Sequence, residues 1–276
     1  MKKAQTWVAA GTVALGLVWA GAAIDRLLRT RRLATAVTLA AAGAYLLGTF
    51  APRARIFGQS AEPSHTNGLF ALTFDDGPDP RYTREISRIL SQRGHQGTFF
   101  VLARAVRTYP NVAASALAAG HELACHGDDH RLLAFSSPRE IRRQISVAEN
   151  AVAEFSGSSL APLFRAPHGV RSPWLTRVVR NAGYQVCAWD GAVFDTAAPR
   201  PEVVARRVER LLRPGAIVLL HDGDGSGRMA SRQNTLEALP AILDAAERRG
   251  LRSVGLGALL ESKPPRVRAT TDASHT

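Results

Sequence analysis

The chain reads as a barrel-like α/β domain of about seven parallel strands, preceded by an N-terminal transmembrane helical hairpin. Three observations lead there. From about Leu69 onward, short apolar runs alternate with helix-period segments, as repeated βα units do. Before that point lie two long stretches without a charge. And the clusters of Asp, His and Arg each fall at the end of an apolar run, where a barrel of parallel strands carries its function.

Taken in order, the uncharged stretches are residues 4–24 and 33–51, each long enough to cross a hydrocarbon core of about 30 Å at 1.5 Å per helical residue. Their Ala and Gly suit close packing of two helices. The segment DRLLRTRR (25–32) between them is expected as the turn, giving a membrane anchor over 1–55 and a linker over 56–68. A cleaved signal peptide, with Ala20-Gly21-Ala22 as the processing site, is the competing reading. It would export the Arg-rich segment and leave the main domain in the cytoplasm, against the positive-inside rule. The hairpin instead puts the loop inside and the main domain outside the cytoplasm. Lys2 and Lys3, together with Arg53 and Arg55, pull the other way.

The main domain occupies 69–260. Its expected strands are 69–74, 97–102, 122–125, 163–165, 184–189, 216–220 and 252–256. Ser137-Pro138-Arg139-Glu140 reads as an N-cap, a Pro at the first helical position and a capping-box Glu. Ser172-Pro173 opens another helix, ended by Gly183. Residues 261–276 are polar and Pro-containing, and read as a disordered tail.

Charge excludes one class of function. Residues 1–55 hold eight Lys and Arg against Asp25, a surplus of +7, so only +5 of the total +12 remains for the other 221 residues. That is too diffuse for a groove that tracks phosphates, so no nucleic-acid partner is expected. Cys125 and Cys187 have neither zinc spacing nor the number for a disulfide framework.

The polar clusters carry the chemistry. In Thr73-Phe74-Asp75-Asp76-Gly77-Pro78 a strand runs into two carboxylates, whose side chains should point to opposite sides. In His126-Gly127-Asp128-Asp129-His130 two imidazoles four residues apart can face one metal if the segment coils as a helical turn. One Asp from the first cluster completes a two-His, one-carboxylate set with open positions, the arrangement of a catalytic metal. Asp222, Asp224, Ser226 and Gly227 mimic half an EF-hand loop, but Gln233 stands where its Glu belongs, so a flexible Gly-rich loop is expected. His95 and His121 read as structural. Trp174 reads as packed, and Trp189 as either packed or stacked on a sugar.

The segments TFDDGP, HGDDH, FRAPHG and LLHDG, in this order and spacing, resemble the motifs of the polysaccharide deacetylases of the NodB-homology type, carbohydrate esterase family four. The resemblance spans about residues 69–260. It implies a distorted (β/α) barrel that hydrolyses the acetamide of N-acetylated sugars in a peptidoglycan or chitin-like glycan, with one divalent metal, usually zinc. Carried over by position, Asp76, His126 and His130 are the ligands, Asp75 the base and His221 the acid that protonates the leaving amine. Arg165 then orients Asp75, Asp195 supports from behind, and the backbone N–H of His168 helps bind the oxyanion. Such a division of labour is chemically sensible, because an amine leaves an amide badly unless it is protonated.

Three departures from the family pattern stand out. Gly127 replaces the usual Ser or Thr, His168 stands where Tyr is common, and of D-x-x-D-W only Asp195 remains in Ala192-Val193-Phe194-Asp195-Thr196. A glycoside hydrolase is disfavoured because the adjacent Asp75 and Asp76 cannot flank one bond from two sides. A non-catalytic protein of this fold would lack a ligand, base or acid, and none is missing. A lipid-linked sugar is the alternative substrate, and the oligomeric state is left open.

Overall fold

The structure is a computed structural model that describes residues 26, 29–41, 43, 44 and 68–261, except 158 and 192. The chain divides into two units, Met1–Leu47 and Gly48–Thr276. In the first, residues 29–41 form helix α1, in which Thr35 and Thr38 bond back to the carbonyls of Arg31 and Ala34. Residues 29–32, expected in the hairpin turn, are therefore helical. Among the described residues no helix is long and apolar enough to cross a membrane. The expected span 4–24 lies outside them, and 33–51 is described only over 33–41, 43 and 44. The linker and tail fall outside them as well, apart from residues 68 and 261.

The second unit alternates strands and helices: β1 (Leu69–Asp75), α2 (Thr83–Gln92), β2 (Gly97–Val101), α3 (Ala103–Thr108), α4 (Pro110–Ala118), β3 (Glu122–Cys125) and α5 (Pro138–Ser156). There follow β4 (Ala161–Phe164), α6 (Pro173–Asn181), β5 (Gln185–Val186), α7 (Pro201–Glu209), β6 (Ile217–His221), α8 (Gln233–Arg248), β7 (Arg252–Ser253) and α9 (Leu256–Glu261). All pairings are parallel, in the order β5-β4-β3-β2-β1-β6, with β7 on the first two residues of β1. Seven strands were expected and seven are found at overlapping positions, but β5 and β7 are two residues long where 184–189 and 252–256 were expected, and Leu256 already belongs to α9. Among the described residues no ladder joins β5 to β6, so the barrel is open there. Past β5, Asp190 bridges the gap, its N–H donating to the Ile217 carbonyl (2.9 Å) and its carboxylate accepting from the Ile217 N–H (2.7 Å).

Two helix starts follow from local chemistry. The Ser137 hydroxyl accepts from the Glu140 N–H (3.2 Å) and the Ser172 hydroxyl from the Leu175 N–H (3.1 Å), each with Pro at the next position. Glu140 turns its side chain to Arg143 and Gln144 instead of closing the capping box.

Strand alternation sorts the core into two layers. Phe70, Leu72 and Phe74 of β1, Phe99 and Val101 of β2, and Val218 and Leu220 of β6 face the helices. Ala71, Phe100, Ala124, Leu163 and Ile217 face the inside, where Leu256 and Leu259 of α9 pack against them. Strands covered on both faces read as continuous apolar runs, which is why they stood out in the sequence.

Candidate active site

The inward parity of each strand ends in a polar residue at the carboxyl end. On β1 the series Ala71, Thr73 leads to Asp75, and on β6 the series Ile217, Leu219 leads to His221, its register partner. One residue past β3, the His126 N–H still bonds to the Val101 carbonyl (3.0 Å), so its ring continues the inward series Glu122, Ala124. Arg165, one past β4, bonds likewise to the Cys125 carbonyl (3.0 Å).

Asp76 does not point away from Asp75 as alternation suggested. Its φ of 76° puts it in the left-handed region, and both carboxylates line one cavity of about 250 Å³. The segment from His126 to His130 is not a helical turn either. It is a bend with φ of 91° at Gly127 and 61° at His130, which still brings both imidazoles to Asp76. Asp76 Oδ1 lies 3.4 Å from His126 Nε2 and 3.1 Å from His130 Nε2, and the three donor atoms fall within 4.8 Å of one another. The ring of His126 is oriented by its Nδ1, 2.9 Å from the Arg165 carbonyl, which leaves Nε2 for a ligand. Gly225 packs so closely on the His130 ring that a Cβ there would collide with Nδ1.

The residues fit a divalent metal. Asp76 Oδ1 is buried without a hydrogen bond, at a point flanked by two imidazole nitrogens. Burial alone would raise the Asp76 pKa, but the imidazoles beside it hold the carboxyl below the usual range. Burial also pushes His130 down to about 4, against the pull of Asp76, so its ring is neutral and can donate a lone pair. For His126 burial is outweighed by Asp75 and Asp76, which raise its pKa and mark the spot as one that favours a cation. Two imidazoles and a carboxylate with open positions are the donor set of a catalytic divalent-metal centre.

Two further pairs face this triad. The Arg165 guanidinium is fully buried and donates through Nη1 to Asp75 Oδ1 (2.7 Å) and to Thr73 Oγ1 (2.8 Å). Phe100 lies under the same group, its ring centroid 4.0 Å away. Asp75 Oδ2 is left near the ligands, 3.9 Å from His126 Nε2. Opposite, His221 Nδ1 donates to Asp195 Oδ1 (2.9 Å), and Asp195 Oδ2 accepts from the His221 N–H (2.8 Å) and the Thr235 hydroxyl (2.9 Å). Burial disfavours the imidazolium, but Asp195, followed by Asp75 and Asp76, more than compensates and lifts His221 to about 9.

The cavity is completed by His168, Gly169, Trp189, Thr196 and Leu219. His168 has a φ of 60° and packs its ring 4.3 Å from that of His130. Trp189 presses so closely on Gly169 that any side chain there would collide with it, and its ring lies 5.5 Å from the Arg165 guanidinium. All nine expected site residues thus converge on this cavity or on groups that line it. Trp174 is 47% exposed, which corrects the expectation that it packs. His95 and His121 are structural, as expected: each accepts a backbone N–H, from Ser253 (3.0 Å) and Gly97 (3.2 Å) respectively. Asp224 caps its own loop through Ser226 and Ala230. Asp222, expected in a flexible Gly-rich loop, is instead fully buried, bonded to the Thr83 hydroxyl (2.5 Å), and pushed up to about 7 chiefly by burial. Its position next to His221 was the available signal.

The family model for polysaccharide deacetylase matches residues 63–187. A chitooligosaccharide deacetylase of Azorhizobium caulinodans is 32% identical over 201 residues, covering 71% of this chain and 96% of that protein. The chain belongs to the polysaccharide deacetylase family. A peptidoglycan-N-acetylglucosamine deacetylase of Bacillus cereus is 31% identical over 204 residues, covering 73% of this chain and 92% of that one. Among solved structures, a family 4 carbohydrate esterase from Streptomyces lividans in complex with acetate superposes with a TM-score of 0.61 at 28% identity, covering 68% of this chain and 93% of that chain. As a polysaccharide deacetylase this chain is an enzyme whose fold and motif order accord with the resemblance. Asp195 and His221 lie beyond the residues matched by the family model, and it is the fold that carries His221 to the same cavity, with Asp195 buried behind it.

Proposed function

We propose that this polysaccharide deacetylase hydrolyses the N-acetyl groups of N-acetylated sugars in a peptidoglycan or chitin-like glycan. The observation that carries the reading is one cavity in which Asp76, His126 and His130 face both the Asp75–Arg165 pair and the His221–Asp195 pair. A divalent metal, zinc by its donor set, would be held by Asp76 Oδ1, His126 Nε2 and His130 Nε2. When bound it supplies Lewis-acid polarisation of the acetyl carbonyl and a water of lowered pKa.

The chain's own groups do the rest. Asp75, with Oδ1 fixed by Arg165, takes the proton of the attacking water on Oδ2. His168 lines the cavity, and its backbone N–H would help bind the developing oxyanion. His221 carries its proton on the nitrogen turned away from Asp195 and delivers it to the departing amine. Trp189 and His168 wall the sugar, and Thr196 stands where the family's Trp is absent. The changed wall bears on which sugar is accepted, while the reacting groups are complete.

The charge bias favours a catalytic domain outside the cytoplasm, anchored to the cell membrane by the uncharged runs 4–24 and 33–51, with the arginines between them on the cytoplasmic side. An extracytoplasmic glycan then lies within reach. Acetate release by the full-length protein from chitin oligosaccharides, peptidoglycan fragments and a lipid-linked N-acetylated sugar tests the reading. Release that stops on chelation and returns with zinc is expected, and its absence from all three substrates overturns the proposal.

A further inference from the structure

The loop between the two imidazole ligands is where this chain departs from its family, because Gly127 takes the place of a hydroxyl residue. The fold shows what occupies the vacated space. Gln144 projects from α5 and is fully buried. Its Oε1 would lie 2.9 Å from a Cβ placed on Gly127, whose φ of 91° also favours glycine. Oε1 accepts from the Asp128 N–H (2.6 Å), while Nε2 donates to Asp129 Oδ1 (3.0 Å) and Glu140 Oε1 (3.1 Å). One side-chain amide therefore satisfies a donor and an acceptor on consecutive loop residues, directly between His126 and His130. Asp128 is held on its other side by Arg107 (2.7 Å) and Arg143 (3.1 Å).

We infer that Gln144 is a positioning residue of the metal centre, its amide holding the ligand loop from the space that a side chain at position 127 would fill. The inference rests on the reading of Asp76, His126 and His130 as ligands. A buried loop amide that loses its acceptor costs about 1–3 kcal/mol, and the loop relieves that cost by turning the Asp128 N–H towards water. That motion carries His130, two residues on, away from Asp76. Removing a partner bonded directly to a metal ligand lowers metal affinity by about 10- to 100-fold, and Gln144, which acts one step further out through the loop backbone, belongs at the lower end of that range.

The test is the zinc affinity of the full-length protein, measured by competition with a chromophoric chelator and independent of turnover. Gln144→Met keeps the volume and removes both hydrogen-bonding groups, and its zinc affinity is expected to fall at least tenfold. Thr98→Val removes another fully buried polar anchor, which bonds to Glu122 (2.7 Å) and to the Leu256 N–H (2.7 Å) on the inner face of the sheet, away from the ligand loop. It is expected to lower the melting temperature and leave zinc affinity unchanged. Gln144→Asn keeps the amide but shortens its reach, and gives a smaller loss of the same sign should the methionine variant fail to fold. Zinc binding by Gln144→Met, or by Gln144→Asn in its place, within twofold of the parent overturns the inference, as does an equal loss in Thr98→Val. A parent that binds no zinc at all overturns the metal-centre reading instead.

Discussion

Replacing Asp195 by Asn keeps the size of the side chain but removes the charge that His221 sees at 2.9 Å. The raised pKa of His221, about 9 against 6.5 for a free imidazole, corresponds to roughly 3 kcal/mol of preference for the imidazolium at 1.36 kcal/mol per tenfold. Asp195 is the first of the three carboxylates that produce it, followed by Asp75 and Asp76. If the whole shift were lost, the protonated fraction at pH 8 would fall from about nine tenths to about one thirtieth, a change of up to roughly 30-fold. At pH 6 the fraction would fall only from nearly one to about three quarters. NMR titration of His221 in the metal-free protein is expected near 9 for the parent and well below it for Asp195→Asn. In the metal-loaded enzyme the alkaline limb of kcat/KM should move to lower pH in the variant. A bound dication lowers both limbs together, so the comparison between the two proteins carries the result. Because the folded value lies above the unfolded one, the pair's contribution to stability is complete below about pH 6.5 and is lost as pH rises through about 9. A limb that stays within a few tenths of a pH unit of the parent's refutes the assignment of His221 as the acid tuned by Asp195.

Three other outcomes are expected. His126→Ala, which removes a nitrogen 3.4 Å from Asp76 Oδ1, should lower zinc stoichiometry well below one per chain, and full occupancy by elemental analysis would contradict the ligand set. Asp75→Asn should retain zinc yet lose at least a hundredfold in acetate release, whereas His221→Ala should lose amide hydrolysis and spare an activated ester, since general acid–base groups contribute about 10²–10⁴-fold and a good leaving group needs no proton. Equal losses on amide and ester would make His221 a binding group. A reporter fused after Thr276 that works only in the cytoplasm should stay silent in intact cells, and a strong signal would reverse the proposed topology.

The residues with chemistry were readable because they sit where strands end, and strand ends are marked by the switch from apolar runs to Asp, His and Gly-Pro. The β3 range 122–125 matches residue for residue, and Ser137 and Ser172 cap the helices that the sequence assigned them. What was not readable depends on backbone angles that nothing in a run of letters specifies. Asp76 and His130 occupy left-handed conformations as non-glycine residues, so strand alternation misplaced the first, and helical spacing gave the second its right neighbour through the wrong backbone form. Gln144 lies 14 residues beyond His130 on the apolar stripe of α5 with Ile141, Ile145 and Ala148, so helical spacing marks it as a buried polar residue, but only the packing of α5 reveals its partners. The seam at Asp190 was hidden for a similar reason, since a carboxylate that caps a neighbouring strand's N–H has no sequence pattern of its own.

The parity by which Asp75, His126, Arg165 and His221 all face inward sets what kinds of sequence change this enzyme can survive. A one-residue deletion inside β6 would turn His221 outward under the helices and bring Leu220, now part of the outer core, into the cavity. The same slip in β1 would turn Asp75 outward, put Phe74 in the place of Thr73 beside Arg165 and draw Asp76 into the strand, away from the two imidazoles. Substitutions can be graded and compensated one at a time, but a frame shift of one residue within a strand removes base or acid outright. Length variation among relatives should therefore collect in the loops beyond the polar residues, such as 224–231, and the strand segments should keep constant length even where their apolar residues are exchanged.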